Sequence, residues 1–138
     1  MEIKQISVFL ENNVGRLAEV TQFLSKAGVN LRAVSLADSS DYGILRLIVN
    51  DCDLAMAALK DAGFTTRLSD VVAVEIEDRP GSLADVMELF RKHMINIGYL
   101  YASLESKSGK AVVIFKLEDH QRGLQILNEN KVSMINSF

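Results

Sequence analysis

The chain has 138 residues, a formal net charge of −3 at neutral pH, 49% hydrophobic and 24% charged residues. That is the composition of a globular chain and not of a disordered one. The acidic balance, with no basic run, argues against a nucleic-acid surface, and the single cysteine, Cys52, has no partner for an internal disulfide.

In chain order, Ile6, Val8 and Leu10 alternate with Gln5, Ser7 and Phe9, which predicts a strand. Asn12-Asn13-Val14-Gly15 then interrupts it with turn-forming residues. Leu17, Val20, Phe23, Leu24 and Ala27 fall within one arc of about 120° at roughly 100° per residue, which predicts a helix buried on that face and ended by Gly28. Leu31 to Asp38 and Ile44 to Asn50 read as strands joined by Ser39-Ser40-Asp41-Tyr42-Gly43. A second helix starts at Asp51-Cys52-Asp53, with Leu54, Ala57, Ala58 and Ala62 inward, and Phe64 to Ser69 is a short fourth strand.

The same order begins again at Val71. Val72, Val74 and Ile76 face inward, followed by a helix face of Leu83, Val86, Leu89, Phe90 and Met94. Strands Ile95 to Glu105 and Ala111 to Leu117 flank Ser106-Lys107-Ser108-Gly109-Lys110, a helix runs from Asp119 to Glu129, and Val132 to Ile135 closes the copy. Gly15 and Gly81 stand 66 apart, as do Asn30 and Asn96, Val8 and Val74, Gly43 and Gly109, and Asp53 and Asp119. The chain is a tandem repeat, so a length that suggests one domain holds two. The expected division is 1–69 and 70–138, and the expected fold is α+β: two ferredoxin-like βαββαβ units, each an antiparallel sheet with its helices on one face. Domains of this size bury only roughly 60% of their unfolded surface, so the halves are expected to pack on each other.

Val34, Leu36, Ile44 and Ile48 alternate with Leu31, Ala33, Leu45, Leu47 and Val49, so apolar side chains occur on both faces of the sheet. Helices cover one face only, and the other is expected to meet another copy or subunit.

The repeated loop leads from a strand end into a helix start, where unpaired N–H groups favour a carboxylate. Gly15 and Gly81 let a backbone approach a ligand closely, and they equally suit a tight turn. Asn30 and Asn96 open the next strand, expected beside that helix start, with amides suited to a ligand carrying both ammonium and carboxylate.

Asp78-Arg79-Pro80-Gly81-Ser82-Leu83 followed by Ile95-Asn96-Ile97 resembles the signature of the ACT domain, and Asn12-Asn13-Val14-Gly15-Arg16-Leu17 followed by Val29-Asn30-Leu31 is similar. The resemblance implies a βαββαβ module that binds an amino acid, pairs side by side into an eight-stranded sheet and regulates metabolic enzymes or transcription. It maps ligand contacts onto Asn12, Asn13, Val14, Gly15, Arg16 and Asn30, and onto Asp78, Arg79, Pro80, Gly81, Ser82 and Asn96. Val14 stands where proline is usual. Asp78 replaces Asn12, and its charge repels a carboxylate and attracts an ammonium, so the two sites are expected to differ. Leu10 and Ile76 stand where some serine-binding members carry histidine, which argues against serine.

No catalytic constellation is found. His93 reads as a boundary residue and His120 as solvated, while Asp51 and Asp53 make Cys52 a poor nucleophile. Asp38, Asp41, Asp51 and Asp53 lack calcium-loop spacing, and Ser108-Gly109-Lys110 is not a phosphate loop. An RNA-recognition module shares this element order but needs stacking aromatics that Ile44-Leu45-Arg46-Leu47-Ile48-Val49 lacks.

The expectation is therefore a non-enzymatic amino-acid sensor acting in trans, without metal or cofactor, assembled as a homodimer, with a metabolic enzyme as its partner. The alternative is a constitutive regulatory or scaffolding subunit of such an enzyme that binds no metabolite. Neither a targeting segment at Met1-Glu2-Ile3-Lys4 nor an apolar stretch near the roughly 20 residues of a membrane span is found, so a cytoplasmic location is expected.

Overall fold

The computed structural model describes residues 3–38, 41–104 and 109–138. The chain runs β1 (Ile3–Glu11), α1 (Arg16–Lys26), β2 (Leu31–Asp38), β3 (Tyr42–Val49), α2 (Cys52–Asp61), β4 (Thr65–Glu77), α3 (Ser82–Lys92), β5 (Ile97–Ala102), β6 (Lys110–Leu117), α4 (His120–Glu129) and β7 (Met134–Ile135). This is the expected α+β fold of βαββαβ-like repeats with antiparallel pairing. The chain forms two compact units, Lys4–Ser69 and Asp70–Ser137.

In the first unit β3 pairs with both β1 and β2, with Ile6 opposite Leu47, Val8 opposite Leu45 and Val34 opposite Leu47. Ile6, Val8, Leu45 and Leu47 meet Val20 and Leu24 of α1 and Ala55 and Leu59 of α2 in one buried cluster. Each fully buried aliphatic side chain here contributes about 1.5–3 kcal/mol relative to exposure. The alternating pattern of β1 therefore identified the core face. The helix faces need correction. Leu17 and Phe23 are each 41% exposed and not buried, and in α2 Leu54 and Ala57 face out while Ala55 and Leu59 face in. Leu54 and Leu59 lie about 140° apart on a helix, so they cannot share one narrow face, and the core takes Leu59.

In the second unit β6 pairs with β4 and β5, and β7 pairs with β4. Val72, Val74, Phe115 and Leu117 meet Val86 and Phe90 of α3 and Leu124 and Leu127 of α4. Phe90 and Phe115 pack edge to face with centroids 5.3 Å apart, worth about 0.5–1.5 kcal/mol beyond burial.

Two boundaries differ from the sequence reading. The expected strand Phe64 to Ser69 and the strand beginning at Val71 are one continuous strand, β4, of 13 residues. No glycine or proline lies in Thr65–Glu77, so nothing interrupts the extended backbone. Tyr42 and Gly43, expected in a turn, already belong to β3, and Lys110 to β6. Of the expected turns, Ser39-Ser40 and Ser106-Lys107-Ser108 lie outside the described residues, as does Glu105.

The repeat is not ungapped. Val8 pairs with Leu45 whereas Val74 pairs with Val113, so equivalent positions are 66 apart before the hairpin and 68 apart after it. The capping residues agree: Asp51 Oδ1 accepts from Leu54 N–H and Asp119 Oδ1 from Arg122 N–H, which makes Asp119 the counterpart of Asp51 and not of Asp53. Gly109 likewise is not the counterpart of Gly43. The Asn12 N–H donates to the Asp41 carbonyl and the Asp78 N–H to that of Gly109, so Asp41 fills that role in the first unit.

The four helices among the described residues end alike. Val29, Phe64, Ile95 and Val132 N–H donate back to Leu24, Leu59, Phe90 and Leu127 carbonyls, and the residue before each donor is left-handed: Gly28, Gly63, Met94 and Lys131. This termination satisfies helix-end carbonyls and brings two apolar residues together. It also overturns the placement of Met94 on the buried face of α3. Met94 lies past the helix end at φ 56 and is 86% exposed.

Candidate functional site

The loop between β1 and α1 is built from backbone bonds. Asn13 N–H donates to the Glu11 carbonyl, Arg16 N–H to that of Asn13, and Glu19 N–H to that of Gly15. The second unit repeats these bonds at Arg79, Ser82 and Asp85. Gly15 and Gly81 cap α1 and α3 at φ 88 and φ 92, with no side-chain cap. A side chain is disfavoured in that backbone conformation, so the turn alone requires glycine, whatever binds nearby.

Beside the first loop lies a cleft of ≈ 110 Å³ lined by Leu10, Glu11, Asn12, Asn13, Arg16, Leu17, Leu36 and Gly43. Asn12, Asn13 and Arg16 were anticipated. Glu11 and Leu17 carried a signal as matched repeat positions, with Glu77 and Leu83. Leu36 and Gly43 enter only through strand register. Asn13 Nδ2 donates to Glu11 Oε2 at 3.0 Å, and the Arg16 guanidinium bonds Glu19 at 2.7 Å with its carbon 4.6 Å from the Phe64 ring centroid. Arg16 Nε is buried without an acceptor. Val14 and Gly15 are exposed at the tip of the loop.

In the second unit the same positions are chemically different. Glu77 is engaged by Lys110 at 2.8 Å, and the Lys110 hydrogen bond and charge hold its carboxyl below the ordinary value. Arg79 lies 3.7 Å from Asp85 and donates to the Pro80 carbonyl. Asp78 and Gly81 are exposed, while Ser82 is buried and its Oγ lacks a hydrogen-bond partner.

The asparagines do not lie beside the helix starts of their own units. Glu11 pairs with Tyr42 at one end of the first sheet, whereas Leu31 pairs with Val49 at the other. Asn30 is thus separated from the loop by the length of α1, 11 residues, or roughly 16 Å at 1.5 Å per residue. Asn96 stands the same way relative to α3. Asn30 N–H donates to Asn50 Oδ1 at 2.8 Å, and the Asn50 N–H returns a bond to the Asn30 carbonyl. Asn96 Nδ2 donates to Glu118 Oε2 at 2.6 Å, and the Glu118 N–H donates to the Asn96 carbonyl. Both asparagines remain exposed.

Among the described residues, no cluster of three His, Cys, Asp or Glu side chains could hold a metal ion, and no helix is long and apolar enough to cross a membrane. His93 caps α3 and its Nδ1 donates to the Leu89 carbonyl. Burial raises the Cys52 pKa, as do Asp53 and Asp51.

A family profile described as the ACT domain pair matches residues 1–137. The crystal structure of protein BT0572 from Bacteroides thetaiotaomicron superposes with a TM-score of 0.92 at 38% identity, covering 98% of this chain and 92% of that one. The ligand-free regulatory subunit of aspartate kinase from Thermus thermophilus shares the fold at a TM-score of 0.67 and 18% identity, over 93% and 91% of the two chains. That of Thermus flavus does so at 0.64 and 17%, over 94% and 92%. No curated protein matches the sequence.

Proposed function

We propose, from the premise that this chain belongs to the ACT domain pair family, that residues 1–69 and 70–138 act as two ACT modules sensing an amino acid and regulating a separate partner. The observation that carries this reading is the cleft at the first loop, lined by residues that bear a carboxylate (Glu11), two amides (Asn12, Asn13) and a guanidinium (Arg16) together with apolar residues. A zwitterion needs both signs of charge and hydrogen-bonding groups within a few ångströms. The loop and the asparagine of one unit stand at opposite ends of a helix. A ligand touching both therefore takes them from two copies of the chain, and so links binding to the arrangement of the copies. It shifts that arrangement only by its difference in affinity between states.

The shared fold with proteins that are regulatory subunits of aspartate kinase supports action in trans on an enzyme of amino-acid metabolism. The non-enzymatic reading rests on the absence of a catalytic constellation in the sequence. A homodimer is the proposed assembly, checked by size-exclusion chromatography with light scattering.

A thermal-shift screen against the twenty amino acids tests the reading. A ligand at a hundred times its dissociation constant adds about 2.7 kcal/mol. Asn30→Ala or Asn96→Ala is expected to abolish at least one response while the fold stays intact. Stabilisation by none of the twenty would favour a subunit that binds no metabolite. A response untouched by either substitution would remove the asparagines from the site.

A further inference from the structure

We infer that the first unit takes the carboxylate of an amino acid at the start of β2, through the Arg32 guanidinium and the Asn30 amide; this rests on the reading of Asn30 as a ligand residue. Arg32 is the extra residue of a bulge. Leu31 pairs with Val49 and Ala33 with Ile48, so no residue of β3 stands opposite Arg32. β2 is an edge strand of the sheet, and a bulge at an edge re-aims a side chain out of the ladder. Arg32 is half-buried, its Nε is buried without an acceptor, and among the described residues no hydrogen bond or ion pair engages its guanidinium. Removing a charge from water without a partner costs free energy, and a planar fork of N–H donors fits a carboxylate through two parallel bonds.

Asn30 stands two residues earlier, roughly 7 Å along an extended chain, a span that an arginine side chain covers. The Asn30 backbone is spent on Asn50, whose N–H donates to the Asn30 carbonyl and whose Oδ1 accepts from the Asn30 N–H. The exposed Asn30 side-chain amide makes no hydrogen bond among the described residues, so its N–H groups remain for a ligand. Asp51, next to Asn50, gives its Oδ1 to the Leu54 N–H.

The second unit is built differently at the same place. Its bulge falls between Ile97 and Tyr99 and holds Gly98, which has no side chain. Glu118 replaces Asn50: its N–H donates to the Asn96 carbonyl, and its Oε2 takes the Asn96 amide at 2.6 Å. Lys116 stands two residues before Glu118, so one charge offsets the other. A ligand carboxylate there meets another carboxylate at short range, and the asparagine amide is already engaged. The two strand starts are therefore not equivalent, and the first is the one suited to an anion.

Isothermal titration of the full chain tests this with each of the twenty amino acids, and with the α-carboxamide of each that binds, for the unmodified protein, Arg32→Gln and Arg32→Lys. The carboxamide keeps the ammonium and the side chain and removes only the negative charge. Arg32→Gln is expected to weaken at least one amino acid by about tenfold or more, the scale of a hydrogen bond to a charged group, and to leave its carboxamide nearly unchanged. Arg32→Lys is expected to fall between, since it keeps the charge without the fork. Circular dichroism confirms that each variant is folded, and a lost preference for acid over amide is a change that a merely structural arginine would not produce. Where the carboxamide binds too weakly to titrate, binding retained by Arg32→Lys and lost by Arg32→Gln supports the assignment, and loss in both overturns it. Equal weakening of acid and amide, or no weakening of any amino acid in the folded variants, overturns the assignment while leaving amino-acid sensing intact. Heat with none of the twenty, and no stabilisation by any of them, overturns the sensing reading and this inference together.

Discussion

Met94→Gly is expected to stabilise the protein, although it deletes a large apolar side chain. Met94 sits at φ 56, just past α3, where Gly28 and Gly63 stand after α1 and α2. Holding an L-residue there costs roughly 1–2 kcal/mol. Glycine removes that cost but gives the unfolded chain more freedom, an opposing effect of about 0.4–1 kcal/mol. Met94 is 86% exposed, so little packing is lost. The net gain is about 0.5–1 kcal/mol, or a few degrees in Tm for a chain of this size. Urea denaturation followed by circular dichroism measures it, with Gly28→Met as the reciprocal, expected to lose about the same amount. A loss of stability in Met94→Gly, or both variants shifting in the same direction, would refute the reasoning that backbone strain decides these positions.

Leu59→Ala is expected to cost about 2–5 kcal/mol, whereas Leu54→Ala, at a position 42% exposed, should cost well under half as much; comparison of their urea midpoints checks the inward face of α2. Glu77 titrates below its ordinary value because Lys110 bonds it, so this pair adds stability at neutral pH that is lost as pH falls through the depressed value. Both side chains are exposed, which keeps the effect small and salt-sensitive, and carboxyl NMR should show the Glu77 pKa rise in Lys110→Met. Alkylation of Cys52 by iodoacetamide at pH 7 should run slower than that of a free cysteine, because burial together with Asp53 and Asp51 disfavours the thiolate. Gly15→Ala should destabilise by roughly 1–2 kcal/mol without ligand, since no atom lies within 4 Å of an added Cβ and only the backbone objects; urea midpoints measure this, and an unchanged midpoint would leave the glycine to a binding role.

The sequence alone determined the repeat, the element order and the core faces of β1 and β4, because those signals are local. A period of two with inward Ile6, Val8 and Leu10 leaves one way to bury a strand. An asparagine-rich turn ending in glycine leaves one place for the helix to start. It also located the loop that borders the cleft, since Asn12, Asn13 and Arg16 line it through their own sequence neighbourhood. Tertiary structure alone decided what depends on pairing between distant segments. The two-residue slip between β1–β3 and β4–β6 is visible only when Val74 is set opposite Val113, and it moves the partner of Asp119 from Asp53 to Asp51. Leu36 and Gly43 come to the cleft through strand register, which sequence spacing does not encode. The placement of Asn30 and Asn96 a helix length from their loops follows from the return direction of α1 and α3. Chain order states which residues follow one another, and only the folded backbone states which end of the sheet each one reaches.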